Sequence, residues 1–260
     1  MIEELFDQMS KGNLLLIDMT YDMFNGMQTY IGDPPFKHEY FRKGNKYGEV
    51  TLSTVYMGLH SGTHIDLPLH FVPNGESVEK FNIIQFIGYG NVLDLSYKKL
   101  GEPISSNDLK KFDDKIKENY VVMLYTGFSA TRGKEDFLYN WPYLDSNGAD
   151  YLVSKKIRAV GIESMSIAGW AGKEYPPRTN WDEVVYVHHK LLSNGIIILE
   201  SVNNMKKVLE ECTNGEALFF YAPLKIVGAE GGPIRLFAIC EKRVKDLLFI
   251  SSYFTLFFTY

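Results

Sequence analysis

Between His60 and His70 the chain gathers three of its six histidines and an aspartate, in the order His60-Ser-Gly-Thr-His64-Ile-Asp66-Leu-Pro-Leu-His70. In an extended backbone, successive side chains point to opposite faces. His60, Gly62, His64, Asp66 and His70 then look one way, while Leu59, Ile65, Leu67, Leu69 and Phe71 look the other. One face carries metal-ligand types and the other anchors the segment in an apolar core, a sorting that constrains the fold to a rigid sheet behind a polar site. Gly62 admits a bend, and Pro68 stops regular ladder pairing before His70.

A sheet of that kind needs a sizeable core, and 260 residues of which 45% are hydrophobic can supply one. The net charge of −5, with no run of Lys or Arg, leaves no electrostatic footprint for nucleic acid or an anionic membrane, so the expected partner is a small molecule. The N-terminus is acidic and lacks a basic region followed by an apolar stretch, which predicts a cytoplasmic protein without a signal peptide. Cys212 and Cys240 have no CxxC partner and are expected to be ordinary reduced thiols.

Elsewhere the pattern alternates strands and helices. Residues 2 to 10 have helical spacing that ends at Lys11-Gly12, and residues 13 to 20 read as a short buried strand. Residues 21 to 36 form a turn-rich loop in which Tyr30 is placed to line a pocket for a flat substrate. Residues 47 to 59 alternate and are predicted to be a strand that feeds directly into the histidine segment. Strands follow at 88 to 95, 120 to 125 and 157 to 162, with a helix start at 105 to 108 and a helix over 145 to 156. That order predicts parallel βαβ pairing, with functional groups at the carboxyl ends of strands, where Glu163 lies. A helix over 179 to 194, capped by Asn180 and stopped by Gly195, carries His188 and His189 about 100° apart, so only one of them reaches a given site. The strand 196 to 199 leads straight into Glu200, a costly place for a carboxylate unless it is paired or bound to metal. A helix over 202 to 211, a strand over 217 to 221, a glycine-rich turn at 228 to 233 and a strand over 234 to 240 complete the domain. The turn lacks the spacing of a phosphate loop.

Taken together, His60-x-x-x-His64-x-Asp66-x-x-x-His70, His188 and Glu200 resemble the cyclase family of metal-dependent hydrolases, which includes bacterial kynurenine formamidases and isatin hydrolases. Gly32-Asp33-Pro34-Pro35, Thr126-Gly127, Val160-Gly161-Ile162 and Pro223-Leu224-Lys225 extend the likeness over roughly residues 14 to 240. The resemblance implies an α/β chain with a mixed-sheet swivelling β/β/α fold, a single domain over residues 1 to 245. It implies one or two Zn2+ ions, with Mn2+ an alternative, and hydrolysis of a C–N amide bond. His60, His64 and Asp66 then match ligands of a first metal, and Asp66, His188 and Glu200 those of a second. His70 matches the general acid/base, with a pKa expected near neutrality, and a homodimer or homotetramer is expected.

The implied reaction makes sense chemically: an ion with an open position lowers the pKa of bound water to about 7, and the resulting hydroxide attacks a formyl or lactam carbonyl. His70 shuttles the proton to the leaving nitrogen. The most direct expectation is an arylformamidase of tryptophan catabolism acting on N-formylkynurenine. Hydrolysis of an isatin-like cyclic amide or a lactone is the alternative, and a metal-retaining binding protein is the alternative outside enzymes. Family formamidases carry a tryptophan where Tyr30 stands, and aspartates where Glu163 and Ala168 stand. Residues 246 to 260 form an apolar tail without a family counterpart, expected to pack on the domain or on a second subunit.

Overall fold

Apolar runs that read as continuous in the sequence become strands buried on both faces of one sheet. The computed structural model describes residues 2–169 and 181–244. In chain order the elements are α1 (Ile2–Ser10), β1 (Leu14–Asp18), β2 (Lys37–Arg42), β3 (Leu52–Tyr56), β4 (His64–Asp66), β5 (Ile87–Asp94), β6 (Pro103–Ile104), α2 (Ser106–Leu109), β7 (Val121–Tyr125), α3 (Asp136–Tyr139), β8 (Tyr143–Leu144), α4 (Ser146–Ser154), β9 (Ala159–Ile162), α5 (Trp181–Ser193), β10 (Ile197–Glu200), α6 (Met205–Glu211), β11 (Glu216–Phe220), β12 (Gly231–Pro233) and β13 (Phe237–Glu241).

Nine strands form a mixed sheet in the order β1-β13-β11-β5-β7-β9-β10-β4-β12. Its centre, β5-β7-β9-β10, is parallel, as the alternation of strand and helix predicts. The flanks are antiparallel. Strand β7 shows why the centre reads as an unbroken apolar run. Val121 and Met123 enter one core cluster with Met205 and Val208 of α6, while Val122 and Leu124 enter another with Leu152 of α4 and Leu191 of α5. Each fully buried side chain of this size contributes roughly 1.5–3 kcal/mol, so both faces hold the layer in place.

Several expectations change. The strand predicted to feed the histidines is β3, which pairs with β2 in a separate hairpin. The chain then turns before β4, with Gly62 at φ +66°. The glycine-rich turn contains a strand: β12 pairs with β4, and a Cβ at Gly231 would stand 2.2 Å from the Ile65 carbonyl oxygen, so only glycine permits that approach. The expectation of two free thiols is wrong, because Cys212 and Cys240 form a disulfide. The reason lies in the topology: Cys212 ends α6 and makes a β-bridge to Lys242, which brings it beside Cys240 on β13 despite 28 residues of separation. The Asn180 cap and the packing of the tail at 246 to 260 fall outside the described residues. Among the described residues, no helix is long and apolar enough to cross a membrane.

Candidate metal centre

Strand β4 supplies the first two donors, and the ladder supplies the third. Because β4 pairs antiparallel with β10, Glu200 lies directly opposite His64, and their side chains share a face. His64 Nε2 is 3.3 Å from Glu200 Oε2, and Asp66 Oδ1 is 3.5 Å from His64 Nε2. Ile65 points the other way, into the core, as the alternation predicts. His60 arrives from the turn before β4, with Nδ1 2.8 Å from Asp66 Oδ1. His188 comes from α5, buried, with Nε2 3.5 Å from Glu200 Oε1, while His189 faces solvent. The structure therefore brings together all five residues expected to bind metal.

Two of the histidines are aimed by the backbone. His64 Nδ1 donates to the Gly62 carbonyl at 2.9 Å and His188 Nδ1 to the Val184 carbonyl at 2.8 Å. A carbonyl only accepts, so Nδ1 carries a proton in either charge state, and Nε2 is turned toward the carboxylates, bearing the second proton of an imidazolium or, once deprotonated, a lone pair. Glu200 Oε1 is held by the Ile167 N–H at 2.6 Å.

The donor set fits a divalent cation. Both oxygens of Asp66 and the Nε2 atoms of His60 and His64 are buried without a well-formed hydrogen bond, although oppositely charged groups crowd them at 2.8–3.3 Å. Each buried polar atom left in that state costs about 1–3 kcal/mol, a debt that an ion between them removes. Two sets of ligand atoms, from His60, Asp66 and His70 and from His64, Asp66 and Glu200, each lie within 4.8 Å of one another, with Asp66 common to both. Three imidazoles with two carboxylates form a mixed N/O set suited to Zn2+ or Mn2+.

The electrostatics follow from the crowding. Burial alone depresses an imidazole, but the carboxylates Asp66 and Glu200 outweigh it and raise His60 to about 10 and His64 to about 9. His188 is raised against the same burial, mainly by Glu200. Burial opposes ionisation of Asp66, yet His60 and His70 hold it well below the usual carboxylate range. His70 differs: burial dominates, and Asp66 only partly offsets the repulsion of His60 and His188, leaving it at about 4 rather than near neutrality. Its ring stacks on His60 with centroids 4.0 Å apart and planes 25° apart.

A cavity of about 180 Å³ opens on this cluster, lined by Tyr30, Asp33, His70, Phe71, Trp181 and Glu200 among others. Tyr30 lines this cavity, its ring 6.2 Å from that of Trp141. Phe71 departs from the simple alternation. After the turn at Pro68–His70 it packs, partly buried, against the second core cluster rather than that of Ile65 and Leu67, and stacks on the His188 ring at 4.3 Å. Glu163 turns away from the cavity and accepts from the N–H groups of Thr126, Phe128 and Ser129 and from the Thr126 hydroxyl, so it is structural. One acidic neighbour escaped the sequence reading: Glu230, beside β12, lies with Oε1 3.3 Å from His60 Nε2. The only sequence signal was a carboxylate inside a glycine-rich segment. A larger hollow of about 1270 Å³, edged by Glu210, Glu241 and Arg243, contains none of the histidines and lies away from this chemistry.

Comparison with known proteins agrees with the geometry. The Cyclase family model, described as "Putative cyclase", matches residues 17–168. A kynurenine formamidase of Bacillus thuringiensis subsp. konkukian is 30% identical over 220 residues, covering 84% of this chain and 94% of its own. An isatin hydrolase A from Labrenzia aggregata superposes with a TM-score of 0.79 at 22% identity, covering 92% of this chain and 99% of its own. A structure described as "predicted metal-dependent hydrolase from Bacillus stearothermophilus" gives 0.67 at 28% identity, covering 87% and 98%.

Proposed function

Because the chain belongs to the Cyclase family, we propose that the histidine cleft is the active site of a metal-dependent amide hydrolase, an arylformamidase that converts N-formylkynurenine to kynurenine and formate. The observation that carries this reading is Asp66: a buried carboxylate whose oxygens lack a well-formed hydrogen bond, crowded by imidazoles and common to two sets of converging ligand atoms. The 30% identity to a kynurenine formamidase supports the substrate class.

We assign His60, His64 and Asp66 to one ion and Asp66, His188 and Glu200 to a second, with zinc preferred and manganese the alternative. When bound, such an ion supplies Lewis acidity that polarises a carbonyl and makes water a competent nucleophile near neutral pH. His70 is left for proton transfer. Its ring stacks on His60 and lies within reach of the same donors, and we assign it to proton transfer rather than to metal on the family resemblance. With a pKa of about 4 it stands as neutral imidazole at pH 7. It accepts a proton from the attacking water and returns it to the leaving nitrogen. Tyr30, Phe71 and Trp181 flank a cavity of about 180 Å³, and a cavity of about 150 Å³ already admits benzene, so a single substituted ring fits. We place the reaction in tryptophan catabolism, carried out by a homodimer or homotetramer. The exposed Phe41, Leu52, Val55 and Tyr56 of the β2–β3 hairpin support assembly, because an isolated chain leaves them in water.

The experiment is hydrolysis of N-formylkynurenine, isatin and a panel of formanilides, run beside metal analysis of the wild type, His60→Ala and Glu200→Ala. Formate release from N-formylkynurenine, and metal content lowered in both variants, are the expected results. Turnover of isatin alone moves the reading to a cyclic amide. Unchanged metal content in both variants sinks the ligand assignment, and full turnover by His70→Ala sinks its proton-transfer role.

A further inference from the structure

The functional reading leaves one acidic side chain of the cavity without a task. Asp33 follows Gly32, whose φ of +97° closes a turn in which the Asp33 N–H donates to the Tyr30 carbonyl at 3.1 Å. Pro34 and Pro35 stiffen the chain directly after it. The half-buried carboxyl group is thereby held at the wall of the cavity that also contains His70, His188 and Glu200. Among the described residues its side chain makes no direct hydrogen bond or close ion pair; His60 and His64 attract it from a distance, while Glu200 and Asp66 repel it. It also stands outside both groups of converging ligand atoms.

An unpartnered carboxylate facing an aromatic cavity discriminates between ligands. A neutral ring that enters strips water from it and returns nothing, whereas a ligand that brings a cation replaces the lost hydration with a charge-assisted hydrogen bond. Tyr30 and Phe71 supply flat apolar surface beside it, so the complementary ligand has an aromatic ring and an ammonium group within a few bonds. We propose that Asp33 is a specificity-determining residue that pairs with a protonated amine on the substrate, and that the preferred class is an aryl amide bearing an aminoalkyl arm. This rests on the amide-hydrolase reading.

The test compares two N-aryl formamides of matched size, one carrying an aminoethyl arm and the other a hydroxyethyl arm, with the wild type and with Asp33→Asn, whose near-isosteric side chain preserves the turn. The wild type is expected to favour the ammonium substrate by about 10- to 100-fold in kcat/KM, mostly through KM, the range for a hydrogen bond to a charged group. Asp33→Asn should bring that ratio close to one, with the larger loss on the ammonium substrate. An unchanged ratio in Asp33→Asn, or a wild type that prefers the neutral substrate, overturns the assignment. Calorimetric titration with 2-phenylethylammonium and with 2-phenylethanol reads the same property without turnover. Tighter ammonium binding that is lost in Asp33→Asn supports it, and equal binding of the two ligands overturns it. A wild type that hydrolyses neither amide yet shows this binding difference retires the amide-hydrolase reading and keeps Asp33.

Discussion

Replacing Glu163 by glutamine separates structure from chemistry at the site's floor. The carboxylate lies at the end of β9, fully buried, and Oε2 accepts three hydrogen bonds: from Thr126 N at 2.7 Å, Thr126 Oγ1 at 2.9 Å and Phe128 N at 3.1 Å. Oε1 accepts a fourth from Ser129 N at 3.3 Å. A glutamine can keep its oxygen at the Oε2 position, but its amide group then faces the Ser129 N–H, donor against donor. The remaining bonds lose their ionic acceptor at about 1 kcal/mol each, and the facing donors cost about 1–3 kcal/mol more, partly offset because no charge is buried. The net expectation is a loss of about 2–4 kcal/mol, or roughly 5–15 °C in Tm for a domain of this size. Urea denaturation reads it as a lower midpoint with the slope preserved, and kcat per folded molecule should stay within a few-fold of wild type. Thr126→Val removes only the hydroxyl bond and should cost about 1 kcal/mol, with less than additive loss in the double variant. Full stability in Glu163→Gln together with a collapse of kcat would refute the structural role and return Glu163 to the chemistry.

Two further outcomes follow from the same geometry. The Cys212–Cys240 disulfide closes a loop of 28 residues' separation, so Cys212→Ser or reduction should lower stability by about 3–4 kcal/mol on the chain-entropy account, seen as a shifted urea midpoint; equal midpoints with and without reductant would count against it. In metal-free protein the raised pKa values of His60 and His64 make a stabilising contribution that is complete below about 6.5, the unfolded value, and lost as pH rises toward about 9 and 10. The Tm of chelator-treated protein should therefore fall across pH 7 to 10, with protons released when metal is added near pH 7; a flat profile would contradict the carboxylate–histidine coupling.

The donors were legible because their signal is local or periodic. His60, His64, Asp66 and His70 fall in one short segment, and Glu200 stands out as a carboxylate directly after an apolar strand, whereas helix geometry allowed only one of His188 and His189 and the family resemblance selected His188. The parallel centre was legible for the same reason, since a strand buried on both faces reads as an unbroken run. What escaped depends on pairing between segments far apart in sequence. Nothing near Gly231 reveals that it lies against Ile65, so the β12 strand and its neighbour Glu230 read as a turn. The disulfide escaped likewise, because only the bridge between Cys212 and Lys242 brings the sulfurs together. Phe71 packs against the core as expected, but its contact with the cavity and His188 escaped, because past Pro68 the backbone is no longer extended.

Glu163 and Glu200 show where such reading stops. Each carboxylate lies at the carboxyl end of an apolar strand, β9 and β10 are neighbours, and both side chains are buried. From the sequence they are equivalent candidates for chemistry, but the donors around them differ. Around Glu163 the turn Thr126–Ser129 aims three N–H groups and a hydroxyl inward, so its oxygens have nothing left to give an ion. Around Glu200 there is one backbone N–H, and the other neighbours are the Nε2 atoms of His64 and His188, whose Nδ1 protons are already committed to carbonyls. Their Nε2 protons are exchangeable, so a divalent cation can take their place between the imidazoles and Glu200, whereas the backbone N–H groups around Glu163 cannot be displaced, and that difference in supply makes one glutamate a brace and the other a candidate ligand.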